Sequence, residues 1–453
     1  MRYYQNILET IGHTPLVRLN RVVGDISPMV LAKVEFFNPG GSVKDRVGLS
    51  LIEACEQSGQ LKPGGTIVEP TSGNTGTGLA LAAAIKGYHL ICVITDKVAE
   101  EKRSLLRALG AEVVICPYSV PSDSPESYRN VAARLAREIP GACNPDQYSN
   151  PANPLSHYRT TGPEIWDDTD GKVTAFVAGL GTAGTVVGTA RYLKERNPKI
   201  QIIGADPAGS IYSHDEVRPY KVEGIGQDAY PANWDESVVD RVIRIDDRTS
   251  FQVARRMARE EGMLCGGSAG TAVAAALEYA KECKPEDVIV VLLPDTGRGY
   301  LSKQYNDTWL RENGFLEAPA QPTLAHVLAF RRQSEPALPA VIGVAPSDPV
   351  TTAIERFHRY SISQLPVIED NKIVGSLTET SLLQRLASGE RLEDRVVSEW
   401  QDAPLPSMPE MATVREAYTL FAGGQSAIAV IGKHGLSGVV SKSDLMEFWA
   451  HNS

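Results

Sequence analysis

The chain has 453 residues, 42% of them apolar and 22% charged, the composition of an ordinary globular protein with room for two or three domains. Its formal net charge is -10 at pH 7 and no Lys/Arg-rich run interrupts it, which argues against a nucleic-acid partner held by its phosphate backbone. No apolar run is long enough to span a bilayer, and no basic region followed by an apolar one precedes Met1-Arg2-Tyr3-Tyr4, so a cytoplasmic protein without a secretory signal is expected.

In chain order, the first notable segment is Asn38-Pro39-Gly40-Gly41-Ser42-Val43-Lys44-Asp45-Arg46. A lysine that follows a Pro-Gly-Gly turn and enters a helical pattern can be buried against a sheet. Burial depresses its pKa and frees its amine for a carbonyl. A solvated surface lysine is the other reading of this segment taken alone.

From about residue 60 to 295, short β-rich runs alternate with helical patterns. The expected strands are Thr66–Glu69, Leu90–Thr95, Glu112–Cys116, Thr174–Ala178, Gln201–Ala205 and Val288–Leu293. Between them lie helical stretches such as Gly78–Lys86, Glu100–Leu109, Ser127–Glu138 and Thr185–Lys194, with Gly87 and Gly110 just past two of them where a left-handed cap is wanted. This rhythm implies an α/β fold of parallel sheets covered by helices on both faces.

Three strand-to-helix turns in this region have chemistry. Glu69-Pro70-Thr71-Ser72-Gly73-Asn74-Thr75-Gly76 offers hydroxyls and backbone N–H groups at a helix N-terminus, suited to a carboxylate; an ordinary N-cap turn uses the same residues. Gly179-Leu180-Gly181-Thr182-Ala183-Gly184-Thr185 suits a phosphate, and it is not a Walker loop because no Gly-Lys-Ser/Thr closes it. Cys265-Gly266-Gly267-Ser268-Ala269-Gly270 precedes a helix of small residues, where Ser268 is either a cap or a partner for a heteroaromatic nitrogen. The six cysteines, Cys55, Cys92, Cys116, Cys143, Cys265 and Cys283, contain no C-x-x-C pair and read as reduced, mostly buried thiols.

The rhythm changes near residue 315. Residues 317–339 are Pro/Ala-rich around one helical stretch and read as a linker. Beyond it, a weak repeat pairs Thr352–Phe357, Gln364–Ile368 and Lys372–Thr378 with Thr413–Tyr418, Ser426–Ile431 and Leu436–Ser441. Each copy reads helix, strand, turn, strand, helix, and neither is large enough to bury its apolar face alone.

The order lysine, carboxylate turn, phosphate loop, serine resembles the fold-type II pyridoxal-phosphate enzymes of the cysteine synthase and cystathionine β-synthase family. The resemblance covers about residues 3–316 and is most specific at Gly41–Arg46 and Thr71–Gly76. It implies two doubly wound parallel-sheet subdomains and pyridoxal 5'-phosphate linked to Lys44 as a Schiff base. It also implies Asn74 at the cofactor's ring hydroxyl, Gly181, Thr182, Ala183, Gly184 and Thr185 at its phosphate, Ser268 at its pyridine nitrogen, and Thr71, Ser72, Thr75 and Gln147 at the substrate carboxylate. Ala183 departs from the family's usual glycine.

Asp146-Gln147-Tyr148 and Val222-Glu223-Gly224-Ile225-Gly226 look like the cystathionine β-synthase versions, which adds Tyr148, Glu223 and Gly224 to the substrate side. The tail resembles paired CBS domains. The expected division is therefore a catalytic domain at 1–316, a linker at 317–339 and a CBS pair at 340–453. The resemblance implies condensation of L-serine with L-homocysteine to L-cystathionine and water, with hydrogen sulfide released when cysteine is the first substrate. Cysteine synthase chemistry on O-acetylserine and sulfide is the nearest alternative, and a catalytically dead adenosyl-sensing scaffold is another. With no segment for haem ahead of the catalytic part, no haem is expected. CBS domains that bind adenosyl ligands often place Thr/Ser and Asp three residues apart. The second copy has Ser441 and Asp444, while the first has Thr378 but Ser381. The tail is thus either a site for S-adenosylmethionine or AMP or a structural dimerisation module, and a homodimer or higher homo-oligomer is expected.

Overall fold

The computed structural model describes all residues except Arg2, Ser72, Lys97, Ala99, Tyr118, Ser122, Asp123, Asp215, 318–320, Ala340, His434 and Ser453. The chain divides into two compact units, Met1–Glu317 and Ala318–Ser453.

The first unit holds two sheets. One has six strands in the order β1-β2-β9-β6-β7-β8: β1 Leu16–Arg18, β2 Met29–Val34, β6 Ala175–Gly179, β7 Gln201–Pro207, β8 Arg241–Ile245 and β9 Val288–Leu293. Only the edge pair β1–β2 is antiparallel. The other sheet is β3 Thr66–Pro70, β4 His89–Thr95 and β5 Glu112–Cys116, all parallel. Parallel strands covered on both faces must be apolar throughout, and Ile289–Leu293 is buried along its whole length.

The six expected strands occur with ends within two residues, and Gly87 and Gly110 take the positive φ expected of caps. Three further strands, β1, β2 and β8, complete the larger sheet. In β2 the fully buried Lys33 interrupts the apolar run, and its ammonium is met by Glu164 at 2.8 Å and Asp168 at 3.1 Å.

Two helices fix the site. Helix Lys44–Gln57 crosses helix Asn74–Lys86 through glycines: a Cβ on Gly48 would lie 2.4 Å from the carbonyl carbon of Gly78. Any side chain there would separate Lys44 from the turn at Asn74. Helix Gly267–Ala280, built of small residues, is buried among the strands of the larger sheet. The six cysteines are free thiols; all but Cys283 are buried, and the sulfurs of Cys55 and Cys143 lie 2.6 Å apart.

The second unit contains two similar halves. Hairpin Gln364–Glu369/Lys372–Thr378 and hairpin Ala427–Gly432/Gly435–Ser441 both shift register immediately after a valine, Val367 and Val430. Each is preceded by a helix, Val350–Tyr360 or Val414–Ala422, and followed by another, Glu379–Ala387 or Lys442–Asn452. The stretch 317–339, expected as a linker, contains helix Leu324–Ser334, whose Leu324, Val327 and Leu328 are buried with Val414, Phe421 and Ile428 of the second half. Its apolar face belongs to that core. Among the described residues, no helix is long and apolar enough to cross a membrane.

Candidate active site

Lys44 is the first residue of its helix and lines a cavity with Val43, Gly181–Thr185, Gly224, Ile225 and Pro294. Desolvation, the largest influence, lowers its pKa, and Asp295 and Glu35 act in the opposite direction. Among the described residues, its ammonium has no hydrogen-bond or ion-pair partner. The backbone around it is anchored by the buried Arg46, which pairs with Glu35 at 2.8 Å and Glu164 at 2.6 Å. Such a pair inside a protein holds its place because neither charge can be left alone.

The turn after β3 is tied inward. Thr71 Oγ1 accepts from the backbone N–H groups of Gly73 and Gly76 at 3.3 and 3.2 Å. Thr75 Oγ1 donates to Gln147 Oε1 at 2.7 Å, which brings the expected carboxylate residues together. Ser72 lies outside the described residues. Asn74 Nδ2 donates to Asp295 Oδ2 at 2.8 Å, and the Tyr300 hydroxyl reaches the same oxygen at 2.6 Å. The Asn74 amide also hydrogen-bonds the Tyr300 hydroxyl, so Asp295 and Tyr300 together fix its orientation.

The loop Gly181–Thr185 leads into helix Gly184–Arg196. Ala183 takes the left-handed conformation, φ 64°, so the departure from glycine is tolerated with backbone strain. Asn153 Nδ2 donates to Thr182 Oγ1 at 2.8 Å, and His157 Nε2 lies 3.2 Å from Thr185 Oγ1. A Cβ on Gly184 would meet Asn153 Oδ1 at 1.9 Å, so only glycine lets the helix start here. Unused N–H groups at a helix start, two hydroxyls and an unpartnered lysine in one cavity fit the phosphate and aldehyde of pyridoxal phosphate. Ser268 is buried at the second position of its helix, and the N-cap is Gly266, so it is not the cap. Its Oγ would lie 3.9 Å from a Cβ on Gly224, a residue that lines the cavity.

Glu223 accepts from Lys102 at 2.8 Å and from Lys303, and the Lys102 ammonium stands 4.2 Å from the centre of the Tyr300 ring. Tyr148 carries the guanidinium of Arg129 4.8 Å from the centre of its ring. Sequence reasoning missed Asp295, Tyr300, Lys102, Lys303, Asn153, His157 and Glu69. Asp295 had a signal: it follows the C-terminal end of β9, where ligands bind in open parallel sheets.

In the second unit, Ser441 N and Oγ donate to Asp444 Oδ2 at 2.6 and 2.7 Å, and Asp444 N returns to Ser441 Oγ at 3.3 Å. Thr378 and Ser381 form the same reciprocal cap in the first half. Both pairs serve as capping boxes in addition to any ligand role.

The family described as pyridoxal-phosphate dependent enzyme matches residues 7–295, and CBS domain matches residues 338–388 and 397–451. The chain is 41% identical to cystathionine beta-synthase of Dictyostelium discoideum over 98% of its length and 92% of that protein's. To cystathionine beta-synthase of Oryctolagus cuniculus it is 46% identical over 85% of its length and 71% of the relative's. The solved O-acetylserine dependent cystathionine beta-synthase of Helicobacter pylori superposes with a TM-score of 0.63 at 38% identity, covering 67% of this chain and 99% of that one. This is a pyridoxal-phosphate-dependent enzyme of fold type II with a CBS-domain pair. It belongs to the cystathionine β-synthase family, whose chemistry is β-replacement in transsulfuration.

Proposed function

We propose that the chain condenses L-serine with L-homocysteine to L-cystathionine and water. The observation that carries this is Lys44, a desolvated lysine with a lowered pKa facing the loop Gly181–Thr185, beside a turn that places Thr71, Thr75 and Gln147 together. Pyridoxal phosphate, when bound, supplies an electron sink for the carbanion at the substrate Cα. Gly181–Thr185 hold its phosphate, Asn74 its ring hydroxyl and Ser268 its pyridine nitrogen. Thr71, Ser72, Thr75 and Gln147 hold the serine carboxylate, with Tyr148, Glu223 and Gly224 on the substrate side.

The Lys44 amine takes the Cα proton; burial lowers its pKa from the ordinary lysine value, which suits it to the role of base. The resulting ammonium gives that proton to the departing hydroxyl, which leaves as water. The homocysteine thiol then gives its proton to the Lys44 amine as its sulfur adds at Cβ, and Lys44 passes that proton to Cα. A neutral Ser268 hydroxyl does not protonate the ring nitrogen, which keeps the sink weak and favours elimination and addition at Cβ. Cysteine in the place of serine gives hydrogen sulfide by the same steps.

Residues 1–316 form the catalytic part in this reading, and the tail from 340 carries an adenosyl site at Ser441 and Asp444. The protein works as a cytoplasmic homo-oligomer. O-acetylserine is the rival first substrate, supported by the Helicobacter pylori relative, which is O-acetylserine dependent. Purified protein given serine plus homocysteine, beside O-acetylserine plus homocysteine and O-acetylserine plus sulfide, with products identified by mass, decides between them. Cystathionine from serine is the expected result; cysteine formed from sulfide alone would overturn the assignment.

A further inference from the structure

His157 is fully buried on helix Ala152–Arg159. That helix lies against helix Gly184–Arg196: a Cβ on Gly188 would meet Pro154 O at 2.0 Å and His157 Cβ at 2.9 Å. The ring therefore cannot move away from the loop. Its Nδ1 lies 2.9 Å from Thr161 Oγ1, and its Nε2 lies 3.2 Å from Thr185 Oγ1.

Thr161 is itself fully buried, and among the described residues its hydroxyl makes no other hydrogen bond. A buried hydroxyl hydrogen needs an acceptor, and the atom in reach is His157 Nδ1. Burial, with Lys44 and Arg46 nearby, lowers the imidazole pKa well below its ordinary value, so the ring carries one hydrogen. With Nδ1 accepting, that hydrogen sits on Nε2 and is donated to Thr185 Oγ1. The hydroxyl hydrogen of Thr185 then turns toward the cavity. Asn153, on the same helix, treats the other loop threonine alike: its Nδ2 donates to Thr182 Oγ1 at 2.8 Å. Both hydroxyls thus receive a bond from behind and have their own hydrogens to give.

Resting on the reading of this loop as the phosphate site, we infer that His157 is a positioning residue, held as the Nε2–H tautomer by Thr161, that makes Thr185 a donor to the cofactor phosphate. It touches neither the phosphate nor the reacting atoms and acts through Thr185. A hydrogen bond to a charged group is a strong one, so losing its orientation costs affinity at that group.

The test titrates full-length apoprotein with pyridoxal phosphate and records the 31P resonance of the bound phosphate. His157→Ala should bind about tenfold or more weakly with a shifted resonance. His157→Gln keeps an N–H near Nε2 and should stay within about threefold of wild type. Thr161→Val releases Nδ1 from accepting, and should weaken binding at least about threefold. A folded His157→Ala protein with unchanged affinity and resonance overturns the inference. Where that variant does not fold, unchanged values in Thr161→Val overturn it equally. Wild-type apoprotein that takes up no pyridoxal phosphate would instead defeat the phosphate reading of the loop, which separates the two failures.

Discussion

The carbonyl oxygen of Lys44 stands 2.3 Å from where a Cβ on Gly78 would begin. The lysine and the Thr71–Gly76 turn are neighbours because two helices touch backbone to backbone at this point. Gly78→Ala should therefore push the helices apart and destabilise the catalytic unit by about 1–3 kcal/mol, the range for overpacking. Urea denaturation should show a lower midpoint, and the bound cofactor's absorbance should fall at equal protein concentration. An unchanged midpoint would mean the helices can slide without cost.

Lys44→Ala should reduce β-replacement by at least about a thousandfold, since one residue both links the cofactor and moves the proton. The fold should survive, because among the described residues Lys44 makes no ion pair, while its neighbour Arg46 keeps Glu35 and Glu164. Far-ultraviolet circular dichroism and steady-state rates on the same preparation check both halves. Substantial turnover in the cofactor-loaded variant would remove Lys44 from the mechanism.

The parts of this site that could be read from sequence are local. Thr71–Gly76 and Gly181–Thr185 are turns that follow β-rich runs and start helices, so strand, ligand donors and helix start lie within a few residues. Asn74 and Asp295 are 221 residues apart and Thr185 and His157 are 28 apart, and no periodicity announces such pairs. Strand β2 escaped because Lys33 looks solvent-facing until its partners are known, and Asp168 lies 135 residues further on. Strand β8 escaped because Arg241 and Arg244 stay exposed on the sheet's edge. Helix Leu324–Ser334 sits inside Pro/Ala-rich flanks that disguise its role in the second unit's core.

Glu69 is fully buried and holds the substrate loop: its carboxylate oxygens accept from Gln147 N at 3.2 Å and Asp146 N at 3.0 Å. Burial, the largest influence, pushes its pKa up to about 8 from an ordinary 4.5. Between those values the native state binds a proton that the unfolded state has lost, so stability falls as pH rises. The contribution is present below 4.5 and gone above about 8, with a limiting slope of about 1.4 kcal/mol per pH unit. Between about pH 6.5 and 8, above the titration of the unfolded His157 imidazole, wild type should lose stability more steeply than Glu69→Gln. Parallel slopes in denaturant titrations of the two proteins would contradict the assignment to Glu69.

A chain ending at Glu317 should retain β-replacement. Phe315 and Leu316 pack with Phe251, Leu310 and Ile225, so the end of the first unit is closed by its own residues. Every side chain assigned to the cofactor and substrate lies before residue 270. The measurement is kcat/KM of the shortened protein against full length, and a folded, cofactor-loaded but inactive product would refute a self-sufficient catalytic unit.

The adenosyl reading of the tail predicts a ligand that binds the native state alone. Such a ligand at about 100 times its Kd stabilises by about 2.7 kcal/mol, a readable shift in melting temperature. Ser441 and Asp444 cap helix Lys442–Asn452, so Asp444→Ala would confuse a lost ligand with a lost cap, which alone costs about 1 kcal/mol. Asp444→Asn keeps an acceptor for the Ser441 N–H and removes the charge that a ribose hydroxyl would meet. The variant also gives up the ion pair of Asp444 with Arg331 at 3.9 Å, so its ligand-free stability should fall by about 0–1 kcal/mol at most, while it should lose most of the shift given by S-adenosylmethionine or AMP. The first half, with Ser381 in the cap, offers no carboxylate at the matching position, so one site per chain is the expected stoichiometry by calorimetry. If S-adenosylmethionine, AMP and ATP all leave the melting temperature of wild type unmoved at millimolar concentration, Ser441 and Asp444 are a helix cap and nothing more.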